Sequence, residues 1–211
     1  MLSKLEQIAD AIRVEFDRLD QARETAYVRS REVVRAASTT IKHVHRGEMA
    51  EAREQLAETQ RLTAEMLAAV AETPELRYGG FVCDAEKECA EAAIVLACIT
   101  GEALPGPEEI GVYPAAWLNG LAEVVGEFRR HVLDMIRTDD LDRAEEYLAA
   151  MDTIYQTIMA FDYPNAISLG LRSRSDNARG MVERTRGDLT NALRAARLEK
   201  RMAELEEKLG N

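Results

Sequence analysis

With 211 residues, 46% of them hydrophobic and 31% charged, the chain is long enough to bury a core of its own, and a single domain spanning 1–211 is the simplest reading of that length. Its longest uncharged apolar run, Ala92 to Ile99, is too short to span a bilayer, and the opening MLSKLEQIAD lacks the apolar centre of a secretion signal, so a cytoplasmic protein is expected. The net charge of -11 argues at first sight against nucleic acid, because phosphate repels an acidic chain at long range.

Nearly every segment between Gly and Pro punctuation reads as helix. Leu5, Ile8, Ile12, Phe16 and Leu19 recur at helical spacing, as do Val33, Ala37, Ile41 and Val44, which predicts a first helix from Leu2 to His45 closed by Gly47. A second, rich in Ala, Glu, Gln and Leu, is predicted from Met49 to about Val70, ending before Pro74. Tyr78-Gly79-Gly80 breaks the chain before a third, Val82 to Thr100, and Leu104-Pro105-Gly106-Pro107 separates that from a fourth, which starts near Pro114 and runs to about Arg137. Thr138 or Asp139 is expected to cap a fifth, Leu141 to about Phe161. Pro164 then opens a short helix, and Ser175 or Asp176 is expected to cap a long last one reaching Leu209. Strand alternation is absent, so the expected fold class is all-α, an elongated bundle of six or seven helices. At about 1.5 Å per residue the first and last helices approach or exceed about 45 Å, more than one subunit covers, and an oligomer is expected to shield the remainder of their apolar stripes.

The charge is unevenly distributed. Arg18 to Arg46 holds seven Lys or Arg against three acids, and Arg172 to Arg201 holds nine against four, whereas Glu48 to Glu109 holds fourteen acids and four basic residues. Such asymmetry is compatible either with a basic surface on an acidic protein or with two ordinary solvated helix faces. Cys83, Cys89 and Cys98 have neither zinc-site spacing nor an even count, and are expected as buried reduced thiols; His43, His45 and His131 are expected in structural or solvated roles.

Two sets of carboxylates stand out on physical grounds. Glu123 is the only charge in AAWLNGLAEVVG, Ala115 to Gly126, a run fit for burial, and a buried carboxylate needs a cation, a hydrogen-bond network or water. Asn119, Glu123 and Glu127 lie at i, i+4 and i+8, a polar stripe that serves either as a solvent face or as the lining of a site. In the third helix Glu86, Glu88 and Glu91 precede eight apolar residues, and Glu88 and Glu91, three apart, share a face. If Glu88, Glu91 and Glu123 converged, their hard oxygens would suit Mg²⁺ or Mn²⁺, an ion able to activate water against a phosphodiester. Ser, Cys and His triads have no support, and Gly79-Gly80 lacks the Lys and Ser or Thr of a phosphate loop.

The segment Asp162 to Lys200 carries Asp162-Tyr163-Pro164, Gly170-Leu171-Arg172, Asp176 with Arg179, and Glu183 through Leu189. It resembles the signature end of the translin and Trax family of helical nucleic-acid-binding proteins and RNases. The resemblance extends, in the same order, over nearly the whole chain: Arg29-Ser30-Arg31 and Lys42 to Glu48 resemble the Ser-Arg and His-Arg elements, Lys87 to Ala92 resembles the Trax element Gln-Glu-Tyr-Val-Glu-Ala, and Gly120 to Arg129 resembles Gly-Leu-Ala-Asp-Leu-Thr-Gly-Glu-Leu-Arg.

That resemblance implies a metal-dependent endoribonuclease cleaving single-stranded RNA or short RNA duplexes, with Glu88, Glu91 and Glu123 as catalytic ligands of Mg²⁺ (or Mn²⁺) and Glu127 as a further metal residue. Glu123 replaces the usual Asp, adding a methylene that carries the carboxylate about 1.5 Å further. The alternative is a non-catalytic, translin-like oligomer binding RNA or single-stranded DNA. A homo-octameric hollow particle is the assembly implied. Arg29, Arg31, Arg35, Lys42, His45 and Arg46 are the expected phosphate contacts, because repeated cations along one helix follow a backbone rather than read bases. Arg179, Arg184 and Arg186 are instead expected in ion pairs, with Asp176, Glu183 and Asp188 in reach.

Overall fold

The computed structural model describes residues 3–209, and these are all helix and connecting turns. Six helices have 19 residues or more, and three single turns lie among them, so nine helices occur among the described residues where six or seven were expected. The chain divides into two compact units, the first ending at Gly120 and the second beginning at Leu121.

The first unit contains α1 (Leu5–Arg46), α2 (Met49–Ala69), α3 (Pro74–Arg77), α4 (Gly80–Thr100), α5 (Pro107–Ile110) and the opening turns of α6 (Pro114–Arg137). The expected start of the first helix at Leu2 lies outside the described residues. Gly47 ends α1 at φ 76°, a conformation that strains any residue with a Cβ, and the Glu48 N–H reaches back 3.0 Å to the His43 carbonyl. Helices α1, α2 and α4 pack on one another, with Ala37, Ile41 and Ala92 at one shared contact and Leu56 laid against them. Small side chains at this contact allow the helix axes to approach closely. From Val82 to Ala97, α4 is buried at all but two positions: the unbroken apolar run Ala92 to Ala97 suits burial on every face, and Glu86, Lys87 and Glu91 are buried with it. The single turns α3 and α5, each begun by proline, fall in segments that the sequence reads only as breaks.

The second unit contains the remainder of α6, then α7 (Leu141–Met159), α8 (Asn165–Ser168) and α9 (Leu171–Leu209). Here α7 and α8 pack on α9. Two expected caps are corrected. The residue before α7 is Asp140, not Thr138 or Asp139; Asp139 instead takes φ 57° to turn the chain out of α6. The last helix begins at Leu171, four residues before Ser175, which is buried inside it; the left-handed pair Leu169 (φ 52°) and Gly170 (φ 85°) sets that start, a backbone constraint that capping preference does not reveal.

Apolar stripes remain uncovered at both ends of the chain: Leu5, Ile8, Ile12 and Phe16 of α1, and Leu198, Met202, Leu205 and Leu209 of α9, are each about half exposed or more. Among the described residues no helix is long and apolar enough to cross a membrane.

Candidate nucleic-acid interface and metal centre

The cations of α1 sort by helical phase. At about 100° per residue Arg31, Arg35, Lys42 and Arg46 fall within an arc of about 60° and extend over about 22 Å, opposite the line Ala26, Val33, Ala37 and Val44 that enters the core. All four are exposed. Arg31 and Lys42 make no ion pair among the described residues, Arg35 donates only to the Arg31 carbonyl at 3.3 Å, and Arg46 has Glu48 at 4.0 Å. Ser38, spaced seven after Arg31 and four before Lys42, places a half-buried hydroxyl about 20° outside this arc; the spacing was legible, but attention to charge alone passes over it. His45 lies at the edge of the arc and is half-buried.

Arg29 does not belong to this stripe. Its phase turns it toward α2, where it bonds Glu32 at 2.6 Å and Glu65 at 3.1 Å; these partners, Glu32 foremost, raise its pKa. A guanidinium shared by two carboxylates is a structural cation rather than one waiting for phosphate. His43, by contrast, bonds Glu48 through Nδ1 at 2.6 Å, beside the turn that closes α1.

Among the described residues the most deeply buried carboxylate is Glu86 rather than Glu123. Glu86 is fully buried, and both its oxygens are satisfied: Arg77 donates to them at 2.9 and 3.0 Å, and the Tyr113 N–H donates at 2.9 Å. This bidentate pair ties α3 and the start of α6 to α4. Glu123, which stands in a run otherwise fit for burial, keeps a side chain 37% exposed and bonds Arg174 Nε at 3.0 Å. Arg174 also donates to the Leu169 carbonyl at 3.2 Å, so the Gly170 turn of the signature segment holds the cation that neutralises Glu123. Arg174 falls between the recognised Gly-Leu-Arg and Asp-x-x-Arg elements, and its role depends on a partner 51 residues away.

Glu91 is buried at 7% exposure, and Glu88, partly exposed, bonds Lys87 Nζ at 2.8 Å. The backbone between them approaches α6 so closely that a Cβ on Gly120 would stand 2.8 Å from the Lys87 carbonyl and 2.9 Å from the Glu91 nitrogen. Asn119 is buried and donates to the Ala115 carbonyl at 2.6 Å, while Glu123 and Glu127 are half-buried, so the stripe 119, 123, 127 is not a solvent face. Of the expected metal residues, Glu88 and Glu91 belong to the first unit and Glu123 and Glu127 to the second. Among the described residues no three His, Cys, Asp or Glu side chains gather closely enough to hold a metal ion. Carboxylates are the right donors for Mg²⁺ or Mn²⁺, yet Glu88 and Glu123 each already bind a cation, and as arranged they do not fit the ion.

The C-terminal arginines divide as well. Arg179 pairs with Glu183 at 3.0 Å and Arg186 with Asp152 of α7, whereas Asp188 pairs with Arg129 of α6 at 2.9 Å rather than with an arginine of its own helix. Beside them the Asp162-Tyr163-Pro164 turn and the first turns of α9 line an open cavity of about 1080 Å³. Cys83 and Cys89 are buried and Cys98 partly so; all three are free thiols, and burial pushes each pKa up, that of Cys89 to about 11.

The structure is all-helical among the described residues and carries a solvent-facing cationic stripe on α1. No family model matches the chain. It is 34% identical to AfC3PO, known alone and in a complex with duplex RNA, over 90% of this chain and 98% of that one, with a TM-score of 0.80. Apo-NeC3PO, at 18% identity and a TM-score of 0.78 over 91% of this chain and 98% of that one, shares the fold. The protein MJ0175 of Methanocaldococcus jannaschii is 29% identical over 181 residues, 85% of this chain and 80% of its own length. The chain belongs to the translin/Trax family, whose C3PO structures these are.

Proposed function

We propose that the protein binds RNA along α1 as one subunit of a homo-oligomer, with an octamer as the expected assembly. The observation that carries the reading is the arc of Arg31, Arg35, Lys42 and Arg46, four exposed cations spread over about 22 Å on one side of a rigid helix. Cations so spaced neutralise successive phosphates and release counter-ions, which gives affinity without base reading. The complex of AfC3PO with duplex RNA supports the ligand class. Phosphate contacts do not separate ribose from deoxyribose, so single-stranded DNA is expected to compete. The uncovered apolar stripes of α1 and α9 support assembly, since exposed apolar surface of that extent marks an interface. The test is fluorescence anisotropy with a labelled RNA duplex over a salt series, together with the mass of the particle in solution. Binding that survives loss of all four cations, or ignores salt, would sink the proposal.

A second reading, endoribonuclease activity dependent on Mg²⁺ or Mn²⁺ at Glu88, Glu91 and Glu123 with Glu127 in support, is favoured by one observation: α4 carries Glu88 and the buried Glu91 three residues apart, on one face of the helix. Loading such a site requires the Lys87 and Arg174 pairs to open. Incubation of a fluorescent single-stranded RNA with and without Mg²⁺ tests it: EDTA, Glu91→Ala and Glu123→Ala should each abolish cleavage while the particle stays intact, and product that persists through all three would refute it.

A further inference from the structure

Downstream of Leu189, its last buried residue, α9 changes the side on which its apolar residues lie. The line that enters the core of the second unit, Leu171, Ser175, Ala178, Val182, Thr185 and Leu189, and the line Ala195, Leu198, Met202, Leu205 and Leu209 each fill an arc of about 80°, and at about 100° per residue their centres stand about 160° apart. The helix therefore turns a second apolar stripe away from the packing that holds its first half. From Arg197 to Leu209 every residue is exposed, and the four large apolar side chains of the stripe are 53–85% exposed. The stripe repeats at intervals of three, four, three and four, the seam of a coiled coil about 21 Å long. The charges beside the seam are sorted by side: Arg194 and Arg201 flank one edge, Glu199 and Glu206 the other, and none of the four makes an ion pair among the described residues.

We infer that the end of α9 pairs in parallel with the same segment of a second copy of this chain, as a two-stranded coiled coil. In parallel order Arg194 meets the partner's Glu199 and Arg201 meets the partner's Glu206, and the twofold symmetry of the pair makes each contact twice. Antiparallel order sets arginine against arginine and glutamate against glutamate, so the sorted charges choose both the partner and its direction. The inference rests on the homo-oligomer proposed above and adds to it which surfaces of two copies meet, and how they are aligned. Two heptads make a short seam, and chains already gathered in one particle raise its effective concentration.

Disulfide cross-linking of the full chain under mild oxidation, read against the wild-type background, tests this. Leu205→Cys, in the seam, should link to its own kind as a dimer, and Lys200→Cys, on the outer side of the helix, should not. In the Leu205→Cys background, Glu199→Arg with Glu206→Arg should lose most of the link, and so should Arg194→Glu with Arg201→Glu. Mixing those two charge-reversed chains should restore the link as a mixed dimer. A link that survives either charge reversal, or one that forms only between Leu198→Cys and Leu205→Cys chains in a mixture, would overturn the parallel pairing. Absence of the Leu205→Cys link from a particle that still has an oligomer's mass in solution would sink this inference and leave the homo-oligomer standing. Absence of the link with the mass of a single chain would sink both.

Discussion

The middle of α4 and the outer face of α1 both carry several charges within a few turns, and the two differ in what those charges face. On α4 Glu86, Lys87 and Glu91 are buried, and charges there are answered from within the protein: Arg77 and the Tyr113 N–H for Glu86, Lys87 for the partly exposed Glu88. On α1 the cations of the arc are spread along solvent with little or nothing opposing them. Buried charge must be compensated where it lies, so it reports on the protein's own structure; repeated exposed charge of one sign is cheap to keep and reports on a ligand.

The largest effect should come from breaking compensation on the buried side. Arg77→Ala leaves Glu86 without its bidentate partner and should destabilise the fold by about 3–5 kcal/mol in urea unfolding. On the exposed side, replacing Arg31, Arg35, Lys42 and Arg46 together with alanine should weaken RNA binding by at least about a hundredfold at physiological salt and lower the slope of log Kd against log salt by about 3 to 4, with unfolding little changed. An intact slope would mean the stripe is only a solvated face.

The thiol of Cys89 lies on the buried side, one turn from Glu86. Burial pushes its pKa from 9.0 to about 11, against the smaller opposing pull of the Thr63 hydrogen bond. Because the folded value lies above the unfolded one, the stability gained from keeping the thiol neutral is complete below pH 9 and lost as pH rises toward 11. Wild type should lose about 2–3 kcal/mol more than Cys89→Ala across that window, measured by denaturant unfolding at each pH. Gly120→Ala puts a methyl against the Lys87 carbonyl and the Glu91 nitrogen, both backbone atoms that cannot swing aside, and should cost about 1–3 kcal/mol in the same assay. The smallest effect should be on RNA binding by Arg29→Ala, less than about threefold in anisotropy, because Glu32 and Glu65 already hold that guanidinium. A loss as large as that of Arg31→Ala would move Arg29 back into the interface.

Much of this was legible in advance for a local reason. Helix periodicity and the turn residues Gly47 and Pro114 act within a few residues, and the corresponding ends were read to within one residue or less of where α1 and α6 end and begin. The early start of α9 escaped because Leu169 adopts a left-handed backbone that leucine seldom takes, and the single turns at Pro74 and Pro107 escaped because proline reads equally as a break or as a first turn.

The candidate site was legible as residue types and not as environments. Glu123 stands alone among apolar neighbours in the sequence, yet Glu86, in an acidic stretch, is the carboxylate that loses all contact with solvent. Arg29 and Arg31 are two residues apart, and helical phase turns one into an ion-pair network and the other toward solvent. The amino-acid order by itself determined the all-helical class, the family and the cationic stretch, because spacing and turn chemistry act between near neighbours. Only the tertiary structure decided which charges are matched, since a partner such as Arg174 for Glu123 is brought from 51 residues away and burial depends on what packs above a side chain.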